Sequence, residues 1–334
     1  MYLRLNDGLF MNYEISKLAA LKDRRPDFDE MMSEIREGLL AIPKTLPSKY
    51  FYDEKGSDLF QQICDLPEYY LTRTETSLLT SIASEIAELI GPGCQMIEYG
   101  TGSSEKMRIV LSALIEPGSF TAIDISKEHL LTATKALSRT FPHLKVHAVT
   151  ADFAKPFTIP AMTGTGLRVG FFPGSTIGNF THEEVIKFLK GTKKVVGPMG
   201  VMLIGVDLKK DVRILRAAYN DPQGVTAAFN MNLLARLNRD LGTTFNLTQF
   251  SHDAVYDAEL GRVEMHLVSH TEQTVTLGRD VISFRKGETI HTENSYKYGQ
   301  NQFKALSARA GYKTLRVWTD PNEFFGIFFL QAEA

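Results

Sequence analysis

The chain has 334 residues, 43% of them hydrophobic and 23% charged. This ordinary soluble composition excludes a disordered chain, a collagen-like repeat and a disulfide-rich mini-protein. Thirty-seven Lys and Arg against 39 Asp and Glu leave a formal net charge of -2, which gives no footing for nucleic acid or an anionic membrane surface as a partner. Two cysteines, Cys64 and Cys94, and eight scattered histidines make neither a disulfide framework nor a zinc site, so no metal is expected.

The N-terminus has no basic segment followed by an apolar run, and no stretch reaches the roughly 18 apolar residues that span a membrane. A soluble, cytoplasmic, monomeric protein acting on a small molecule is the expectation. The first 90 residues read as helical. Phe28, Met31, Met32, Ile35, Leu39 and Ile42 recur at helical spacing, and Pro43 ends the run. Ser57 is placed to cap a short helix over 58–66, and Thr74 a longer one to Ile90, before Gly91-Pro92-Gly93.

The texture then changes. Short apolar runs at 95–99, 120–123, 146–150, 167–172 and 201–206 end at Gly100, Asp124, Asp152, Pro173-Gly174 and Asp207, with helical patterns between them. One of these helices opens on the capping box Thr181-His182-Glu183-Glu184. This rhythm predicts an α/β fold with a mostly parallel sheet covered on both faces. After Asp207 it breaks. Residues 209–242 read as helical and 250–295 as antiparallel strands turning at Glu259-Leu260-Gly261; a helix near 300–310 and two strands, 313–319 and 325–331, close the chain. Trp318 and the phenylalanines at 324, 325, 328 and 329 belong to that closing hairpin, and Lys209-Lys210 reads as a solvated pair. The predicted organisation is an N-terminal helical part, 1–76, that joins an insertion, 209–296, in a discontinuous α+β substrate domain. The nucleotide-binding domain comprises 77–208 and 297–334.

Three segments carry chemistry. In Glu98-Tyr99-Gly100-Thr101-Gly102-Ser103-Ser104-Glu105-Lys106, a strand feeds a glycine turn that opens a helix. Glycines let backbone approach a ligand, and the helix start offers unpaired N–H groups. The dinucleotide fingerprint requires a third glycine where this chain has Glu105, and a carboxylate repels a pyrophosphate. A nucleoside without phosphates fits better, which points to S-adenosylmethionine; the same glycines also serve purely structural turns. Asp124, ending the next strand, can accept both ribose hydroxyls, and Asp152-Phe153, ending the third, can accept from an adenine amine and cover its ring. Acids at strand ends also cap helices, but three suitable strand ends in succession favour the cofactor. After the fourth strand, Gly174-Ser175-Thr176-Ile177-Gly178-Asn179 fails the hydrolase elbow because its centre is Thr176. Asn179 either orients a substrate amine or is a loop residue.

The segments at 44–53, 56–60, 66–70, 72–75, the Gly100 turn, 174–179, 224–230, 262–265 and 292–295 together resemble the L-histidine Nα-methyltransferases of ergothioneine biosynthesis. They follow the family's order over about residues 40–330. The resemblance implies a class I methyltransferase domain of seven strands, Rossmann-like, with a substrate domain closing over it. It implies that S-adenosylmethionine lies on Tyr52, Gly100, Lys106, Asp124, Asp152 and Phe153. Histidine would lie on Tyr69, Asn179, Tyr219, Met265, Glu293 and Ser295, with Asn179 and Tyr52 holding the reacting amine. Two departures stand out: Tyr99 at a strand end that is usually aliphatic, and Leu71 where proline follows Tyr70 in the family. The fungal N-methyltransferases that take tryptophan derivatives share the framework and remain an alternative, as does, from another class, a nicotinamide oxidoreductase or a non-catalytic nucleotide-binding module. The chemistry of the ring favours histidine. Imidazole offers one N–H and one bare nitrogen. Glu293 and Ser295, two apart on a strand, project to one face and can serve one nitrogen each.

Overall fold

A computed structural model describes residues 20–24, 28–102, 104–155 and 157–333; the N-terminal reading of residues 1–19 and Ser103 of the glycine turn lie outside them. The chain opens with strand β1 (Ala20–Arg24), helix α1 (Phe28–Leu40), the two-residue strand β2 (Lys44–Thr45), a 3-10 turn (Ser48–Phe51), α2 (Glu54–Asp65) and α3 (Tyr70–Ile90). The alternating region follows as β3 (Gln95–Tyr99), α4 (Glu105–Ala113), β4 (Ser119–Asp124), α5 (Lys127–Thr140), β5 (Lys145–Ala151), β6 (Arg168–Phe172), α6 (His182–Val196) and β7 (Val201–Asp207). Then come α7 (Val212–Tyr219), α8 (Val225–Leu241), β8 (Phe250–Asp257), β9 (Arg262–Ser269), β10 (Gln273–Leu277), β11 (Asp280–Phe284), β12 (Thr289–Tyr296), α9 (Gln300–Arg309), β13 (Tyr312–Thr319) and β14 (Phe325–Ala332).

The large sheet runs β1-β5-β4-β3-β6-β7-β14-β13. Its first six strands are parallel, and β14 lies antiparallel to both β7 and β13. Every residue of β3 and β7 is buried, because helices cover both faces. Side chains alternate between two apolar layers. Met96, Phe120, Val146 and Val169 pack on the α3–α4 side, and Ile97, Ile123, Val149 and Phe172 on the side of α6 and α9. At about 1.5–3 kcal/mol for each fully buried large side chain, these layers are the main source of the sheet's stability. Trp318 stands opposite Ile327 in the closing hairpin.

A separate four-stranded sheet, β2-β12-β9-β8, packs with α1, α2, α7 and α8 around Ile35, Leu39, Phe51, Leu215, Phe229, Leu233, Leu267 and Ile290. Its β8–β9 hairpin turns at Gly261, whose φ of 69° is left-handed.

Five local expectations change. The sheet has eight strands rather than seven, and the first 90 residues are not all helical: β1 joins the edge of β5, and β2 pairs with Ile290 and His291 of β12. Elements of five and two residues are too short to show a period. The second helix starts at Glu54, capped by Asp53, whose Oδ1 accepts from the Gly56 N–H at 2.7 Å, and not at Ser57. The third starts at Tyr70, and Thr74 lies inside it, its hydroxyl donating to the Tyr70 carbonyl at 2.8 Å, the back-bonding that serves Thr equally well within a helix. Finally, Lys210 is not solvated: its side chain is 3% exposed and its ammonium contacts Asp207 and the Tyr70 hydroxyl. Strand β7 ends in a wholly buried carboxylate, and a buried charge demands a partner.

Candidate functional site

The carboxyl ends of β3, β4, β5 and β6 open onto a cavity of about 670 Å³, closed from the other side by the 3-10 turn after β2, by α2, by the start of α3 and by residues 291–294 of β12. Ligands in open parallel sheets lie at these strand ends. Segments near residues 50, 100, 180 and 293 therefore share one hollow.

The half nearest the large sheet is polar along the strand ends. Gly100 turns left-handed at φ 77°, and the nearest side-chain atom to a Cβ placed there would be Phe153 Cε1, 3.8 Å away. Asp124 accepts from the Thr101 N–H at 2.9 Å and the Ser126 N–H at 2.8 Å, with the Gly102 N–H also turned to it; burial pushes its carboxyl upward against those bonds. Asp152 accepts from the Ala154 N–H and from the Lys49 ammonium, each at 3.0 Å. Lys49 also reaches Glu34, and Lys155 reaches Glu30 and Glu34, so α1 is tied by ion pairs to the loop after β5. The Phe153 ring meets Phe172 edge-on, centroids 5.4 Å apart.

Two buried acids complete this half. Glu75 of α3 accepts from the Gly174 N–H with both oxygens, at 2.8 and 3.0 Å, and pairs with Lys106. It thereby wedges under the loop after β6. Glu98, at the end of β3, lines the cavity and leaves Oε2 without a partner among the described residues. Burial, with the charge of Asp124 added, lifts its carboxyl well above the usual range. Neither was assigned a role from sequence. The acid before the glycine turn was a signal for Glu98; Glu75 had none, because its partners lie 31 and 99 residues away.

In the other half, Asn179 ends the 3-10 turn Thr176–Asn179 after β6, and its Nδ2 donates to Glu293 Oε1 at 3.1 Å. Desolvation raises the Glu293 carboxyl to about 7, offset only in part by the Lys297 charge and the Asn179 bond. Tyr52 is wedged edge-on to Phe60 and Phe229. Burial and the charge of Glu293 hold its hydroxyl well above the ordinary tyrosine value, so it is protonated at neutral pH. Tyr69 stands edge-on to Tyr219, centroids 6.2 Å apart.

Thus Tyr52, Tyr69, Gly100, Lys106, Asp124, Asp152, Phe153, Asn179 and Glu293 line one cavity. Tyr219, Met265 and Ser295 are not among its lining residues and form the layer next to it, Tyr219 keeping 6% and Ser295 5% of its surface exposed. Met265 stands opposite Glu293 in the β9–β12 register and is 2% exposed. The Tyr219 hydroxyl lies 2.7 Å from Ser295 Oγ. Among the described residues, no cluster of His, Cys, Asp and Glu is arranged to hold a metal ion.

The strand order, with its antiparallel β14 threaded between β7 and β13, and the polar strand ends around a glycine turn define a class I methyltransferase that uses S-adenosylmethionine. The cradle fits that group: open space at Gly102, the Phe153 ring beside Gly100, the carboxylate of Asp124 and an unpartnered Glu98 oxygen suit a nucleoside and an ammonium. Comparison with known proteins narrows the class. Residues 31–332 match the model of the histidine-specific, S-adenosylmethionine-dependent methyltransferases, and the chain belongs to that family. It is 38% identical over 304 residues to the histidine N-alpha-methyltransferase of Mycolicibacterium smegmatis, covering 90% of this chain and 94% of that one. To the enzyme of the same name from Mycobacterium tuberculosis it is 39% identical, covering 88% and 92%. The Ergothioneine biosynthesis protein 1 of Neurospora crassa is 34% identical over 84% of this chain, which matches 32% of that longer protein.

Proposed function

We propose that the protein methylates the α-amino nitrogen of L-histidine three times, giving hercynine for ergothioneine biosynthesis. The observation that carries this reading is the Asn179–Glu293 contact. It joins a loop of the cofactor-binding sheet to a strand of the second sheet, within the cavity that holds the glycine turn.

S-adenosylmethionine supplies a methyl group on a sulfonium that is already a good leaving group. The proposed contacts for it are Tyr52, Gly100, Lys106, Asp124, Asp152 and Phe153; those for histidine are Tyr69, Asn179, Tyr219, Met265, Glu293 and Ser295. The substrate ammonium must first lose a proton, and a reference value of about 8 makes the neutral amine accessible near pH 7. Positioning is then the main contribution, worth about 7 kcal/mol or more. Because Asn179 commits its Nδ2 to Glu293, its carbonyl oxygen is left to accept an amine N–H, which turns the nitrogen lone pair away from Asn179. Tyr52, protonated at neutral pH, lies close enough to Glu293 to feel its charge and flanks the same amine. Glu293 accepts the imidazole N–H. The apolar core of the second sheet and the two layers flanking the large sheet support a division into a methyltransferase unit, 77–208 with 297–334, which β1 joins at the sheet edge, and a substrate unit, 28–76 with 209–296. The unpaired thiols of Cys64 and Cys94 suit a reducing cytoplasm.

The test is mass spectrometry of an amino-acid mixture incubated with the protein and S-adenosylmethionine. Histidine carrying one, two and then three methyl groups is expected; unmodified histidine beside another methylated amino acid overturns the reading. Glu293→Ala should lower kcat/KM for histidine about ten- to hundredfold by leaving the ring N–H unpaired. Combined with a smaller residue at the facing Met265, it should raise tryptophan turnover relative to histidine.

A further inference from the structure

Glu293, Ser295 and Lys297 occupy alternate positions along β12 and just beyond its end, so their side chains share one face. Lys297 is 1% exposed. Its ammonium lies 2.7 Å from Asp207 Oδ2, 2.7 Å from Ser295 Oγ and 3.0 Å from the Tyr219 hydroxyl. Burial alone would favour loss of its proton, but Asp207 and Tyr219 outweigh burial and hold the group above the ordinary lysine value. Asp207 is braced in turn by Tyr70 and Lys210.

The count of hydrogens then decides the polarity of the wall. An ammonium has three hydrogens and no lone pair, so Lys297 donates to both hydroxyl oxygens. Ser295 and Tyr219 bring two hydrogens of their own, and one lies in the 2.7 Å contact between them. The other has no acceptor inside the triangle and must point out of it. Two residues along the same face, Glu293 presents an acceptor.

We propose that Lys297 is a positioning residue for side-chain recognition: it fixes the Tyr219–Ser295 pair as a hydrogen donor toward a bare ring nitrogen, opposite the Glu293 acceptor. The ligand class is an amino acid whose planar ring carries one N–H and one unprotonated nitrogen. Indole lacks the second. This rests on the placement of the histidine ring against Glu293 and Ser295.

The test compares the affinities of L-histidine and L-2-thienylalanine, whose ring has neither an N–H nor a bare nitrogen. Both are measured by calorimetric titration, directly or by competition, on protein loaded with S-adenosylhomocysteine. Four proteins are compared: wild type, Ser295→Ala, Lys297→Met and the double variant. The histidine preference should fall about ten- to hundredfold in Lys297→Met, whatever the absolute losses, and in Ser295→Ala. It should fall no further in the double variant, because both act on one hydrogen bond. A Lys297→Met protein that loses both ligands in equal proportion, while Ser295→Ala loses the preference, makes Lys297 merely structural and overturns the proposal. Additive losses overturn it too. A preference unchanged in Ser295→Ala overturns the ring placement itself, and the proposal with it. Should Lys297→Met not fold, Lys297→Gln, whose amide has two hydrogens for three acceptors, enters the same cycle with the same outcomes.

Discussion

Replacing Glu293 by glutamine should stabilise the unliganded protein at alkaline pH and hardly at all at acid pH. The carboxyl is held in the cavity wall with one bond from Asn179, and its proton is lost near 7 in the folded protein against 4.5 for a free side chain. Between those values the unfolded chain holds fewer protons than the folded one, so stability falls as pH rises and the penalty is complete above about 7. A displacement of about 2.5 units at about 1.4 kcal/mol each gives about 3 kcal/mol as a ceiling, since the wall is partly open to water. Glutamine keeps an oxygen for the Asn179 N–H and carries no charge. The expected gain is about 2–3 kcal/mol at pH 8 and below about 1 kcal/mol at pH 5, or about 3–4 °C in Tm at pH 8 for a chain of this size. Calorimetric unfolding of both proteins at the two pH values measures it. Equal gains at pH 5 and pH 8, or none at pH 8, would refute the argument that desolvation dominates at this carboxyl. The same variant should bind histidine less well, which makes Glu293 a group kept at a cost in stability.

Asn179→Ala should lower kcat on the order of a hundredfold while leaving S-adenosylmethionine affinity within about threefold; equilibrium titration beside steady-state kinetics distinguishes this from a cofactor contact, where the affinity would fall instead. Gly205→Ala should destabilise the protein by about 3 kcal/mol, because a Cβ there would lie 2.1 Å from Glu75 Oε1 and 3.0 Å from the Phe325 ring. Since Glu75 holds Gly174 and Lys106, cofactor affinity should drop with it. Denaturant midpoints and cofactor titration of the one variant check both effects.

The parallel strands were legible because each is a short apolar run closed by glycine or an acid: the structure places Gln95–Tyr99 and Val201–Asp207 almost where composition alone did. The cavity residues at strand ends followed from the same logic. Helix starts were less legible, since Asp53, Ser57 and Thr74 are all competent caps and only packing selects among them; a Cβ on Gly56 would lie 1.8 Å from the Phe51 carbonyl oxygen, a constraint invisible in one dimension. The buried ionic chain of Asp207, Lys210 and Lys297 was the largest omission. Lysines followed by polar neighbours read as surface, and nothing local reveals that β7 ends in a wholly buried carboxylate. The position of Lys297, two beyond Ser295 at the strand period, was the available clue.

The threading of β14 between β7 and β13 has a consequence for how the molecule comes into being. Synthesis must pass residue 332 before an interior place in the large sheet can be filled. Until then β7, whose residues are all buried in the finished protein, presents an open hydrogen-bonding edge of the kind that invites aggregation. A chain cut at residue 324 would therefore lose an interior member of the sheet rather than a tail, and β13, though complete, would have no strand to pair with.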